Sequence, residues 1–201
     1  MRRLMADLIT LEEYKLAKQL TKLDDDVRLA SLISAVSQLV KTYCATSFVD
    51  YVSTDKVETF SFDYVTKTIQ VNEAPIISIT KVEERSSYGE DYVELTEAAF
   101  EFYTDKAVDC VYRTSTSGYS YWPMGPGGVR VTYKGGYATI PEDIKLAVID
   151  LVTYYKDNEY KERRTIGTAS IANNPTSTQW RNVGFPDHIK RILDLYKHIQ
   201  V

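Results

Sequence analysis

The sequence predicts an α+β fold: a helical bundle with an antiparallel β-sheet or small barrel lobe inserted into it. The bundle comprises two N-terminal helices, a third helix and a C-terminal helix. Three observations predict this. Apolar residues from Leu29 to Tyr43 recur at helical spacing. From Tyr51 to Tyr133 the period drops to two. After Ile140-Pro141 the helical period returns. The expected division is a helical core from residues 1–50 and 134–201, with a β-rich lobe over residues 51–133.

Helix one has a well-marked start. Thr10 fits the N-cap, with Glu13 three residues on at the capping-box spacing. Ile9 and Tyr14 hold the staple positions around it. The helix is expected over Leu11 to Leu20. Asp24-Asp25-Asp26 opens the second helix, three acids where the helix dipole favours them. Consecutive acids lack the alternate spacing and glycine of a calcium loop. Behind them, Leu29, Leu32, Ile33, Val36, Leu39, Val40 and Tyr43 form one apolar face. That face spans about two heptads, too short for a coiled coil.

The lobe reads as short strands. Thr59 to Phe62 and Thr68 to Val71 alternate, and Ile76 to Val82 is β-branched behind Pro75. Tyr92 to Leu95, Phe100 to Tyr103 and Val108 to Tyr112 follow. Ser115 to Gly128 is expected to be a loop carrying Tyr119, Tyr121, Trp122 and Met124. Two readings of those four stand: a contact surface on a glycine-rich loop, or aromatics tucked over the sheet. The strand Val129 to Tyr133 then runs into Lys134-Gly135-Gly136-Tyr137.

Pro141 suits the first helical position, where its missing N–H costs nothing. Ile144, Ala147, Val148, Leu151 and Tyr155 make the third helix's stripe. Thr165 to Gln179 has no periodicity and is expected to be mobile in an isolated subunit. The last helix opens at Phe185-Pro186-Asp187 and carries Ile189, Ile192, Leu193, Tyr196 and Ile199 on one face.

Composition narrows the function. With 44% apolar and 26% charged residues, the 201-residue chain is ordinary for a globular protein. No window supplies a membrane-spanning run. Met1-Arg2-Arg3 has no apolar segment behind it, so no secretory signal is read there. Cys44 and Cys110 are expected to be buried free thiols. The net charge of −4 is unevenly spread: residues 161–201 hold seven Lys and Arg against three acids. The remainder is acidic, which argues against a protein that grips nucleic acid. The basic end could dock on an acidic partner or form a solvated surface. The 16 tyrosines suit both interfaces and half-buried strands.

Little points to catalysis. His188 and His198 are ten residues apart in the last helix, on different sides of it. There is no nucleophile elbow. Neither cysteine has metal-ligand spacing. Gly125-Pro126-Gly127-Gly128 and Gly135-Gly136 lack a phosphate-loop pattern and read as turns. The expectation is a protein without enzyme activity, cofactor or metal.

The order of motifs resembles the head–tail connector proteins (adaptor, or head-completion, proteins) of tailed double-stranded DNA bacteriophages. The specific block runs from Lys134 to Ala147: a V-x-Y-x-G-G-Y strand end, then Pro141-Glu142-Asp143-Ile144-Lys145-Leu146-Ala147. A tyrosine-rich helix and Pro186-Asp187-His188-Ile189 through Tyr196 follow. Leu8 to Lys15, Leu29 to Ile33, Tyr43 to Phe48 and Asn72 to Val82 also match the family's layout. Arg163 or Arg164 matches only loosely the arginine usual after the third helix, and Lys197-His198 stands where an arginine is common.

This resemblance implies a structural virion protein at the head–tail junction, assembled in the host cytoplasm. It implies a homo-oligomeric ring, usually twelvefold, beneath the portal protein. Such a ring extends the DNA channel and offers a platform to the next neck or tail protein. DNA would pass an acidic lumen without specific binding, and no membrane is involved. In this family the C-terminal segment often engages the portal. Here that implies ordering of Thr165–Val201 on docking, with Trp180, Arg181, Arg191, Tyr196 and Lys197 as portal contacts. Tyr119, Tyr121, Trp122 and Met124 are candidates for a further interface. Alternatives are a tail-completion or neck stopper ring protein, or a β-sheet module binding a peptide or glycan through Tyr119–Met124.

Overall fold

The computed structural model describes residues 6–21, 25–157, 163–166, 169–172 and 185–197. The chain divides into two units. One takes its described residues from Met1–Ala45 and Ile140–Lys197, the other from Thr46–Thr139. The α+β class with a sheet lobe is what the sequence predicts.

The first unit is helical. Helix α1, Leu11–Ala17, starts with the expected capping box. Thr10 Oγ1 accepts the Glu13 N–H at 3.1 Å, and Glu13 accepts the Thr10 N–H at 2.7 Å. That backbone hydrogen bond holds the Glu13 carboxyl below the usual range. The helix stops earlier than expected, because Gln19 takes a left-handed conformation with φ 53°. Helix α2, Asp26–Cys44, buries Leu29, Ile33, Val36 and Val40. Asp25 occupies its N-cap without a side-chain bond, and Asp24 lies outside the described residues. Asp26 pairs with Lys15 at 2.9 Å, so one of the three acids ties α1 to α2.

Helix α3, Glu142–Lys156, buries Ile144, Ala147, Val148, Leu151 and Val152. Pro141 is its N-cap, one position before that expected; its ψ of 139° keeps it extended. Tyr14 of α1 meets Thr153 at 3.3 Å, and Glu13 of α1 and its C-cap Lys18 pair with Lys145 and Asp150. Helix α4, Asp187–Asp194, turns Ile189 and Leu193 inward and packs on α2 and α3. Ile199 lies outside the described residues. Where no periodicity predicts structure, strands Arg163–Ile166 and Ala169–Ala172 pair antiparallel, Ala169 opposite Ile166. Their backbone pairing needs no apolar alternation, so the sequence did not announce it. Among the described residues, no helix is long and apolar enough to cross a membrane.

The second unit holds eight strands: β1 Lys56–Phe62, β2 Thr68–Gln70, β3 Ile76–Glu84, β4 Val93–Leu95, β5 Phe102–Asp105, β6 Cys110–Ser115, β7 Gly118–Tyr119 and β8 Gly125–Gly135. They form two open antiparallel sheets and no barrel: β1-β8-β3-β4, and β2-β6-β5 with β7 beside β6. Both sheets feed one core, with Ile69 and Val111 from the small sheet and Val82, Val129 and Val131 from the large one. Strand β8 begins at Gly125, so the expected loop to Gly128 is cut short. Side chains from the β3–β4 connection fix this stretch. Arg85 donates to the Gly127 and Pro126 carbonyls at 3.0 Å, and Tyr92 Oη donates to Gly127 at 2.6 Å.

The Gly135-Gly136 pair has a packing cause. A Cβ on Gly135 would lie 2.1 Å from the Glu73 carbonyl oxygen. One on Gly136, at φ +106°, would lie 2.4 Å from that of Phe48. Only glycine permits both approaches. Around them sits a buried polar knot. Glu73 accepts from the Ser47 N–H, the Thr46 and Ser47 hydroxyls and Lys56. Lys56 also pairs with Glu58 at 2.5 Å. The Glu73 N–H donates to Tyr133 Oη at 2.9 Å. Burial alone would lower the Lys56 pKa; the two carboxylates outweigh it and raise it.

Candidate interaction surface

The small sheet positions the most distinctive side chains. In an antiparallel pair, directly opposed residues point to the same face. Tyr103 of β5 opposes Tyr112 of β6, and Thr114 of β6 opposes Tyr119 of β7. The Tyr103 and Tyr112 rings stack at 6.4 Å and 29°. Tyr112 and Tyr119 lie 5.9 Å apart. Lys67 then sits 5.5 Å from the Tyr119 ring centre and 5.3 Å from that of Tyr121. The result is an aromatic row across the sheet, closed by a cation. Each exposed cation–π contact is worth roughly 0.5–1 kcal/mol, enough to bias ring orientation.

Beside the row lies a groove of about 430 Å³. Phe100, Phe102, Tyr103 and Tyr119 supply its apolar walls, and Glu97 is its one charged lining residue. Phe100 is 64% exposed and has φ 59°, a left-handed conformation uncommon for a bulky residue. The surrounding backbone over-determines it. The Phe100 N–H donates to Glu97 O at 3.0 Å, and its carbonyl accepts from Thr114 Oγ1 at 2.8 Å. Arg113 reaches the next carbonyl, Glu101, while its other nitrogens fork onto Glu84 at 2.8 and 2.9 Å.

Burial pushes the Cys110 thiol up, helped by Asp109 and Asp105. Burial, then nearby Cys110 and Asp105, raises the Tyr112 phenol. Neither group is activated as a nucleophile, for which a lowered pKa is needed. Apolar rings with polar tips suit a protein surface.

The sequence-predicted residues divide. Tyr119, Tyr121 and Met124 are exposed, at 67%, 55% and 56%. Trp122 is a correction: at 2% exposure it belongs to the core, not to a contact surface. Its backbone N–H donates to Thr66 O at 2.9 Å, and the ring packs in the core of the β unit. Tyr103, Tyr112, Phe100 and Lys67 were missed. Strand alternation could have flagged the first two, but only the hairpin register puts them side by side.

The tail candidates divide too. Trp180 and Arg181 lie outside the described residues. Arg191 is exposed on α4. Tyr196 is half-buried and donates to Asp143 at 2.8 Å. Lys197 lies 5.1 Å from the ring centre of Tyr43. Tyr43 donates to Asp194 at 2.5 Å, and burial, then that carboxylate, pushes its phenol up to about 12. Both the Tyr196 and the Lys197 contacts lie within the helical unit.

A family model described as "Head completion protein" matches residues 7–199. The chain belongs to the head completion protein family. Membership gives it a structural role at the head–tail junction of a phage virion. The head completion protein of Escherichia phage T5 is 35% identical over 77 residues. That alignment takes in 38% of this chain and 42% of the T5 protein, less than half of either length. Three solved structures share the fold. A chain from the neck of an empty gene transfer agent particle, computed with C6 symmetry, has a TM-score of 0.57 at 13% identity and covers 96% of this chain and 91% of its own. One from the native gene transfer agent virion scores 0.54 at 16% identity, with coverage of 96% and 91%. One from the native neck, computed with C12 symmetry, scores 0.51 at 13% identity, with 99% and 97%.

Proposed function

We propose that this head completion protein is a ring-forming connector subunit. It docks beneath the portal, extends the DNA channel and offers a platform to the next neck or tail protein. The observation that carries the reading is the family match over residues 7–199. The shared fold with a neck chain computed with C12 symmetry supports it. A heterologous interface repeated around an axis closes into a ring when the rotation per subunit is right. In this reading the work is structural and needs no cofactor. The net charge of −4 suits a wall that DNA passes without adhering. The basic segment 161–201, which includes exposed Arg191, faces the portal.

The test is mass by light scattering, with and without the cognate portal. A portal-bound ring that is lost on truncation after Tyr160 is the expected outcome. A persistent monomer that ignores portal overturns the reading. It would favour a second one, a binding module that uses exposed Tyr119, Tyr121 and Met124.

A further inference from the structure

The groove beside the tyrosine row takes its walls from two stretches of chain. Phe100, Phe102 and Tyr103 come from β5 and the turn before it, and Tyr119 comes from the β6–β7 hairpin. Its volume of about 430 Å³ falls within the range of ligand sites. Phe100 is largely exposed on a backbone held at φ 59°. A conformation of that kind persists only where surrounding structure imposes it, and here it holds a ring on the groove wall.

Three kinds of ligand use aromatic walls, and the geometry separates them. A sugar ring stacks on an open aromatic face. Here the Tyr103 and Tyr112 faces lie against each other, and Lys67 stands over Tyr119. An added strand needs free N–H groups along a sheet edge. On the outer edge of β5 the Thr104 N–H already donates to Glu97 Oε1, at 3.3 Å. A polyproline II segment needs neither feature. Its proline rings pack against aromatic walls, and its carbonyls stay free to accept hydrogen bonds. The Tyr103 and Tyr119 hydroxyls, which bond to no other described residue, are donors of the right kind.

Charge gives the segment its sign. Glu97 is the one charged residue lining the groove, and it has no ion-pair partner among the described residues. The cations of the β5–β6 hairpin are engaged elsewhere: Lys106 donates to the Ile77 carbonyl and Arg113 pairs with Glu84.

We propose that the groove binds a proline-rich, extended peptide segment carrying a basic residue, its prolines between Phe100 and Tyr119 and its cation on Glu97. The whole site lies within the β unit and does not depend on ring formation. The aromatic walls supply the affinity and the carboxylate sets the direction of the segment.

The probe is a fluorescein-labelled peptide, Pro-Pro-Leu-Pro-Pro-Arg, titrated with the full chain and read by anisotropy. Saturable binding is expected. Glu97→Arg should weaken it by about tenfold, and a peptide ending in Glu in place of Arg should recover binding to that variant. Phe100→Gly suits the left-handed backbone, so it should keep the parent's circular dichroism and still lose the peptide. A Val-Thr-Val-Thr-Val-Arg peptide, a strand former with the same charge, should bind more weakly. No saturable binding by the parent chain overturns the proposal. So does binding that Glu97→Arg and Phe100→Gly leave intact, which would put the peptide elsewhere. Equal or tighter binding of the strand former overturns it in favour of strand addition.

Discussion

Tyr196 places its hydroxyl 2.8 Å from both carboxylate oxygens of Asp143, so the end of α4 is tied to the first turn of α3. Asp143 also accepts the Ile144 N–H at 2.9 Å, which fixes the carboxylate. A hydrogen bond to a charged group is worth more than a neutral one. Tyr196→Phe should cost the helical unit about 1–2 kcal/mol. Urea unfolding followed by helical circular dichroism reads this. An unchanged midpoint would show the tie to be idle.

Gly135→Ala should destabilise the β unit by about 1–3 kcal/mol, the usual cost of forcing atoms into a filled space. The obstacle is backbone, the Glu73 carbonyl, and cannot swing aside as a side chain would. Gly89→Ala is the control, since a Cβ there meets nothing within 4 Å. Thermal melts of the two variants should separate clearly.

Arg130 donates to Glu83 at 2.7 Å and holds its carboxyl down at about 2, against burial and with help from Lys81. An unfolded glutamate titrates near ~4.3. A lowered carboxyl contributes stability that is fully present above that value and is lost as pH falls from there through about 2. Glu83→Gln should therefore cost about 1–3 kcal/mol at pH 6, with the gap to wild type closing toward pH 2. Paired denaturation curves across that window check the sign.

The two thiols should behave differently. Cys44 is buried, and burial first, then the charge of Asp194, pushes it up to about 12. Its thiol donates to Leu193 O at 3.6 Å. Cys110 is only half-buried, a departure from the expectation that both are covered. Ellman's reagent should find one reactive thiol in the native protein and two in urea. Two reactive thiols under native conditions would contradict the helix packing around Cys44.

The elements were legible where burial imposes a period. The stripes of α2 and α3 came from Leu29, Ile33, Val36 and Ile144, Val148, Leu151, residues that do meet a core. The start of α1 was legible because its capping box is local chemistry. The site was less so. Trp122 and Tyr121 are adjacent in sequence yet go to opposite environments, in a connection between β7 and β8 where no period announces which side chain is buried. The Tyr103–Tyr112 pair depends on a register that brings Asp105 opposite Cys110. The glycines of β8 read as breakers, because Arg85 and Tyr92, which fix them, lie some 40 residues earlier.

Among the described residues, the β unit is one continuous stretch, Thr46–Thr139, while the helical unit needs chain from both sides of it. On a ribosome this sets an order of events. All eight strands are made before the first residue of α3. Helix α2, with Leu29, Ile33 and Val36 uncovered, must wait for Ile144 and Leu151 before it can bury them. The early-made half of the helical unit is thus an apolar surface awaiting its partner during synthesis, when sticking to a second nascent chain competes with folding.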